Sequence, residues 1–421
     1  MLGTARGLGV ATLVAALTVG AAAVGPAGPA AAAPAPAPGP VRWSDPLAAG
    51  EAVGVLVVGG TVRLTGDRAG AADAALSPDG HGDTRSPGLL TLPARPLAVP
   101  VDRVDAVVDV AAGTAAVDVR GRRADGGWSE WLPAEPVPGA PGTPGQAAGA
   151  TLRAVLPAPA TQVQARLVLD PPGPGAPAVA VRGLALAAYP AGPGVRAQAV
   201  GEAERYRVFA TREGLVGGTT ANGHRVKPRD LFVALPSRRA LSPRDTSDYS
   251  VRVCAANGRC AYAPVWDVGP WNTRDDYWNG PDRRQNWRDL PRGVPQAQAA
   301  KAANHNRGKD QFGRPVRNPA GIDLADGLFW DALGLRDNAW VTVDYLWTGA
   351  GPLATVRVDR RVDLRDAPNP GARVVGLVAD RAAVPLQCAT GDWLQVGAGE
   401  FLPRAAVPRT ALPPSVPACR G

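Results

Sequence analysis

Apolar and polar positions alternate in short runs over most of the chain, the period-2 pattern of half-buried strands rather than the 3.6-residue period of helices. In residues 41–190 the apolar runs Val53 to Val58, Val104 to Val110, Ala115 to Val119, Gln162 to Leu169 and Val179 to Ala187 are separated by Gly, Pro and Asp turns. Several short strands at such spacing predict a β-sandwich. Residues 191–204 cluster Gly and Pro without alternation and read as a linker. A second module, residues 205–350, carries β-branched and aromatic runs near Leu231 to Leu235, Tyr249 to Cys254, Ala261 to Val268 and Trp340 to Trp347, types that fit a pleated surface. It is interrupted at 272–318 by an insertion with little strand character, in which Gln296 to Asn304 is expected to form a short helix. A third module, residues 355–421, has short strand runs at Val362 to Leu364, Gly376 to Val378, Trp393 to Val396 and Phe401-Leu402. The expected fold class is all-β throughout.

The N-terminus breaks this pattern. Met1 to about Ala33 reads as a secretory signal: Arg6 is its only charge, Leu8 to Val24 is apolar, and Ala30 to Ala33 offers small-residue cleavage sites. The Ala/Pro tract at 34–40 then forms a stiff lead-in. No other stretch has the ~18 consecutive apolar residues of a membrane span, so the expectation is a secreted or wall-associated protein with no stable membrane insertion after cleavage. Export favours disulfides. Cys254 and Cys260 flank an Asn257-Gly258 hairpin signal and are expected to pair, and Cys388 with Cys419 would tie the C-terminus back onto a module too small to bury much. Zinc is disfavoured, because this spacing fits no usual pattern and His81, His224 and His305 lie far apart. A formal charge of +8 and a pI near 9.8 point, for an exported chain, to anionic partners at the cell surface rather than to nucleic acid. High Ala, Gly, Pro and Arg resembles the output of a GC-rich actinobacterial genome, which accounts for part of the Arg excess.

The candidate chemistry lies in the second module. Thr219-Thr220-Ala221-Asn222-Gly223, Phe232 to Pro236, Val265 to Trp271 with Asp267-Val268-Gly269-Pro270, and Gly321-Ile322-Asp323-Leu324-Ala325 follow one another in order. These motifs resemble the double-psi β-barrel family that includes rare lipoprotein A-like proteins, expansins and barwin-type domains. The resemblance covers most of 210–347 and implies that Asp267 and Asp323 share one site. It departs from lytic members, which carry Glu where this chain has His224 and a histidine in the strand that here reads Phe232-Val233-Ala234-Leu235-Pro236. The last module resembles bacterial SH3-type domains, and Val117 to Trp131, with Trp128 and Trp131 expected in core or rim, resembles the β-sandwich modules of actinobacterial cell-wall amidases.

Two carboxylates on a rigid scaffold serve either acid/base cleavage of a sugar polymer or hydrogen-bonding to sugar hydroxyls. Structural alternatives are an Asx turn for Asp267 and a helix N-cap for Asp323. The insertion adds basic charge, with nine Arg or Lys against three Asp from Pro281 to Arg317, a local net of +6. The residues expected to touch a ligand are Thr220, Asn222 and His224 of the turn, with Trp271, Tyr277, Trp278 and Trp287 in or beside the insertion. No Gly-x-Ser-x-Gly elbow, free thiol or Gly-rich phosphate loop is present, so neither metal nor organic cofactor is expected. The leading expectation is an exported protein that binds peptidoglycan or attached wall glycans. The alternatives are a lytic transglycosylase using Asp267 and Asp323 and an extracellular protein–protein module.

Overall fold

Strand-forming runs set the architecture: in the computed structural model 45% of the chain is strand and 10% helix, an all-β fold. The structure describes residues 39–65, 87–138, 150–172, 176–192 and 201–420. Residues 1–33, where a secretory signal is expected, most of the 34–40 lead-in, His81 and residues 193–200 of the expected 191–204 linker lie outside the described residues. Among the described residues no helix is long and apolar enough to cross a membrane.

The first sheet uses β1 (Val41–Trp43), β2 (Glu51–Val53), β3 (Val55–Val58), β4 (Thr61–Leu64), β5 (Gly88–Thr91) and β6 (Arg95–Ala112). It continues with β7 (Ala116–Gly121), β8 (Leu132–Pro133), β9 (Glu135–Pro136), β10 (Thr151–Leu169) and β11 (Ala180–Pro190). The strand order is β2-β5-β10-β6-β11-β4-β3, with β1 on β11, β7 and β9 on β10, and β8 on β7. Register shifts between Val155 and Gln162 let the long β10 pair with β6 first and with β7 and β5 afterwards. One continuous sheet thereby folds around a core that includes Val101, Val104, Leu152 and Leu167.

The second sheet contains a closed ring of β12 (Glu204–Arg212), β13 (Val233–Leu235), β14 (Ser250–Ala255), β15 (Cys260–Val268), β16 (Ala320–Leu324) and β17 (Ala339–Tyr345). The ring runs β13-β16-β12-β17-β14-β15 and returns from β15 to β13. Its β12–β16 and β13–β15 pairs are parallel and the other four antiparallel. Closure removes exposed strand edges. The Asn257-Gly258 hairpin joins β14 to β15, and Cys254 opposes Cys260 in register, where the disulfide forms as expected. The insertion holds α1 (Gln296–Ala303).

The C-terminal strands are β18 (Leu353–Thr355), β19 (Arg361–Arg365), β20 (Val374–Ala379), β21 (Ala383–Pro385), β22 (Cys388–Thr390), β23 (Trp393–Gly397) and β24 (Glu400–Pro403). They are spliced onto the ring, because β20 pairs parallel with β15 at Cys260↔Gly376, Ala261↔Leu377 and Tyr262↔Val378. A side chain at Gly376 would place its Cβ 1.8 Å from the Cys260 carbonyl oxygen, so only glycine permits this approach. Cys388 and Cys419 are bridged.

The N-terminal sheet is locked on from the other side. Trp131 is fully buried within the ring's core cluster, and its indole N–H donates to the Leu241 carbonyl at 3.1 Å. Residues Gly39–Gly421 accordingly form one unit.

Replacing Gly376 with Ala should lower the unfolding midpoint by the equivalent of ~1–3 kcal/mol, the usual penalty for forcing atoms into a packed site. Gly201, whose Cβ position meets nothing within 4 Å, is the control, and Gly201→Ala should stay within about 0.5 kcal/mol of wild type in urea unfolding.

Candidate functional site

Register brings the two aspartates together. Ala234 on β13 pairs with Asp267 on β15 and with Asp323 on β16, and Asp323 pairs in turn with Thr211 on β12. Directly paired residues project to the same face of a sheet, so both carboxyls stand on one face, on either side of the small Ala234. Asp267 is 8% exposed and Asp323 2%. Asp267 Oδ1 accepts the backbone N–H of Ala221 at 2.7 Å and of Val268 at 2.8 Å. Asp323 accepts the Thr211 hydroxyl. The Asx-turn alternative for Asp267 is not formed, because the N–H two residues on, that of Gly269, donates to the Leu235 carbonyl at 3.0 Å; Asp267 instead latches the 220–223 turn through Ala221. The N-cap alternative for Asp323 fails: Asp323 is a strand residue, and the following helical turn begins at Gly327.

A third carboxyl, overlooked by the motif reading, completes the group. Glu213 lies just past β12, its N–H donating to the Leu324 carbonyl at 2.9 Å, and it is 5% exposed. Burial first, then the negative charges of Asp267 and Asp323, push its carboxyl well above the usual carboxylate range. Burial raises Asp267 too, but its hydrogen bonds from Glu213 and from the two amides work in the opposite direction. Amide donors favour a carboxylate, whereas Glu213 Oε2 is buried with no hydrogen-bond partner, so of the two it is Glu213 whose environment favours the neutral form more strongly. The signal for Glu213 in the sequence is faint: it sits one residue beyond a strand that opens inside the stretch read as a linker, ahead of Gly214.

The neighbouring turn is spent on itself. Thr220 is fully buried and Asn222 2% exposed. The Thr220 hydroxyl donates to Asn222 Oδ1 at 2.7 Å, and Asn222 Nδ2 donates to the Ser242 carbonyl at 3.2 Å. Both side chains shape the loop that places the Ala221 N–H on Asp267. His224 is half-buried, its Nε2 2.8 Å from Asp230 Oδ2 and its ring 4.6 Å from that of Trp266. A crevice beside Glu213, bounded by Val226, Lys227, Phe232 and Asp326, has no interior room for a water molecule.

The insertion aromatics lie elsewhere. Tyr277 and Trp278 are fully buried. The Tyr277 hydroxyl donates to the Gly321 carbonyl at 2.9 Å, and Trp278 stacks on Tyr345 with ring centroids 5.4 Å apart. Neither has a face free for a sugar. Trp271 is 4% exposed and donates its indole N–H to Asn318 Oδ1 at 2.9 Å. Trp287 is half-buried edge-on to His305. The local +6 charge is likewise partly absorbed. Arg284 pairs with buried Asp275, Arg292 with Glu204 at 2.8 Å, and Arg314 with Asp310. Burial is the main reason that Asp275 is pushed up to about 6, despite the Arg284 guanidinium beside it. Among the described residues no group of three or more His, Cys, Asp or Glu side chains could hold a metal.

Residues 204–344, which run from the start of β12 nearly to the end of β17, match a family described as a domain of unknown function (DUF8814). No curated protein matches the chain.

The Glu213 proton fixes the sign of a pH dependence. An acid whose pKa is raised on folding contributes stability that is complete below its unfolded value near 4.5 and is lost as pH rises toward the folded value. Stability should therefore fall above about pH 5, by up to about 1.4 kcal/mol per pH unit for one carboxyl. Glu213→Gln, which has nearly the same shape and stays neutral at every pH, should flatten that fall in urea unfolding. An unchanged slope would place the proton elsewhere.

Proposed function

We propose that the six-stranded ring is of the double-psi type, that the C-terminal strands form an SH3-type module, and that the protein is exported and held non-covalently on peptidoglycan or attached wall glycans. The ordered motifs, the parallel pairs within the closed ring, two disulfides and the net charge of +8 support this reading. The observation that carries binding over cleavage is the latching of Asp267 and Asp323. Both are over nine-tenths buried and held by two backbone amides and a threonine hydroxyl, so neither carboxyl is presented at the surface to a glycosidic oxygen. General acid catalysis needs the acid within hydrogen-bond reach of the oxygen it protonates.

One feature favours the second reading, lytic cleavage: Glu213, Asp267 and Asp323 form one buried carboxyl group, and burial pushes Glu213 well above the usual carboxylate range, as suits a general acid. Asp267 and Asp323 would then act with Glu213 as the proton source, and the muramyl 6-hydroxyl would close an anhydro ring in place of water.

Co-sedimentation with purified sacculi separates the two. The protein should leave the supernatant at moderate salt and release no anhydro-muramyl fragments detectable by mass spectrometry. Failure to sediment would remove the binding reading. Fragments that disappear in Asp323→Asn and Glu213→Gln would install the lytic one.

A further inference from the structure

On the outer side of the strand end that carries the carboxyl group lies a cleft of about 330 Å³, at the lower end of the ~300–1,000 Å³ typical of small-molecule sites. Its wall is aromatic. Trp330, 37% exposed, is among the few large apolar side chains left at the surface, and it packs edge-on to Phe329 with centroids 6.5 Å apart. Two guanidinium groups lie against this indole, Arg212 at 4.9 Å and Arg229 at 4.6 Å from its centroid.

The polar lining is biased toward donors. Asn318 Oδ1 already accepts from the Trp271 indole at 2.9 Å and the Ala320 N–H at 3.2 Å, so its amide NH₂ is what remains for the cleft. Asn338 is in the same position, its Oδ1 accepting the Arg212 N–H at 3.1 Å. The Arg212 side chain uses Nη1 on Asp326 at 2.8 Å and keeps its other donors. Arg336 is exposed in the cleft wall and pairs with no acid among the described residues. The lone carboxylate of the lining, Asp337, already accepts the Asn338 N–H at 2.7 Å. Two guanidinium groups, two amide NH₂ groups and an indole against one carboxylate favour an anion that also carries hydroxyl acceptors.

We propose that this cleft binds a single anionic sugar residue, one carrying a carboxylate or a phosphate. Arg336 and Arg212 would pair with the charge, and Asn318 and Asn338 would donate to ring substituents beside Trp330. Trp271 acts as a positioning residue, since its indole N–H turns the Asn318 amide toward the cleft. That the ligand is a sugar rather than another small anion rests on the wall-binding reading. That the cleft selects anions does not.

Titration of the full chain with N-acetylmuramic acid, glucose 6-phosphate and neutral N-acetylglucosamine, followed by tryptophan fluorescence and calorimetry, tests the proposal and separates the two anion sources. At least one of the two anionic sugars should bind about 10-fold or more tightly than the neutral one, and Arg336→Gln should remove that preference, as expected for loss of a charge-assisted contact. Trp330→Ala should weaken binding similarly, with circular dichroism reporting intact strands. Equal binding of all three sugars, no binding of either anion, or unchanged affinity in Arg336→Gln would overturn the cleft. Sedimentation with sacculi stays a separate readout. Anion binding without sedimentation would sink only the wall reading, and sedimentation undiminished in both variants, with no sugar preference, would sink only the cleft.

Discussion

The site depends on the closure of the ring through β13, a strand of only three residues. Val233, Ala234 and Leu235 are each at most 2% exposed, and together they pair with β15 on one side and β16 on the other. Adjacent strands stand ~4.8 Å apart, so a one-strand spacer sets the Asp267 and Asp323 backbones roughly 10 Å apart. Ala234, paired with both, adds only a methyl to their common face. A slip of one residue in β13 would turn Ala234 to the opposite face and separate it from both aspartates. Thus a short apolar strand, with no chemistry of its own, decides that two carboxyls distant in sequence become neighbours.

The ring is in turn held from both flanks by groups that cannot be exposed cheaply. Glu130 of the N-terminal sheet accepts the indole N–H of Trp278 and of Trp347 and an amide N–H of Asn279. Arg166 and Arg238 converge on the buried Asp118, and the Arg166 guanidinium also donates to the Arg238 carbonyl at 2.8 Å. On the other flank Arg252 reaches both Asp344 at 3.2 Å and Glu400 at 2.6 Å, and the Tyr262 hydroxyl donates to the Val396 carbonyl at 3.0 Å. Undocking either flank would strip partners from buried ions, which costs several kcal/mol per broken pair. Tethered modules that swing on linkers would not carry such contacts. The buried charges make the barrel's position a property of the whole chain.

What could be read beforehand follows the physics of each signal. Apolar patterning placed β13, β14, β15 and β17 of the ring and β19, β20, β23 and β24 of the C-terminal module to within a few residues, but not β12 or the short β18, β21 and β22. It missed β16, where Ala320, Gly321, Ile322, Asp323 and Leu324 are all buried and no alternation survives. The Asn257-Gly258 turn predicted the first disulfide, since a tight hairpin fixes which residues face one another. Aromatic-plus-basic composition misled about Tyr277 and Trp278. Charge can be counted along a sequence, but whether Arg284 finds Asp275 inside the fold cannot. Glu213 was lost for a related reason: its neighbours in space, Asp267 and Asp323, lie 54 and 110 positions further along the chain.

The end of β12 links the buried cluster to the surface cleft. Successive strand residues face opposite sides. Thr211 and Glu213 turn inward, Thr211 donating to Asp323 and Glu213 buried beside Asp267, while Arg212 between them turns outward to Asp326 and Trp330. The Arg212 backbone N–H is held by Asn338 and the Glu213 N–H by Leu324, so this three-residue stretch is fixed at both faces. An ionised Glu213 would add a third negative charge to those of Asp267 and Asp323 in a packed space, which the fixed strand end gives no room to relieve. Because the same peptides carry the Arg212 guanidinium against the cleft, the strand pairing that positions the carboxyls also positions this cation of the cleft.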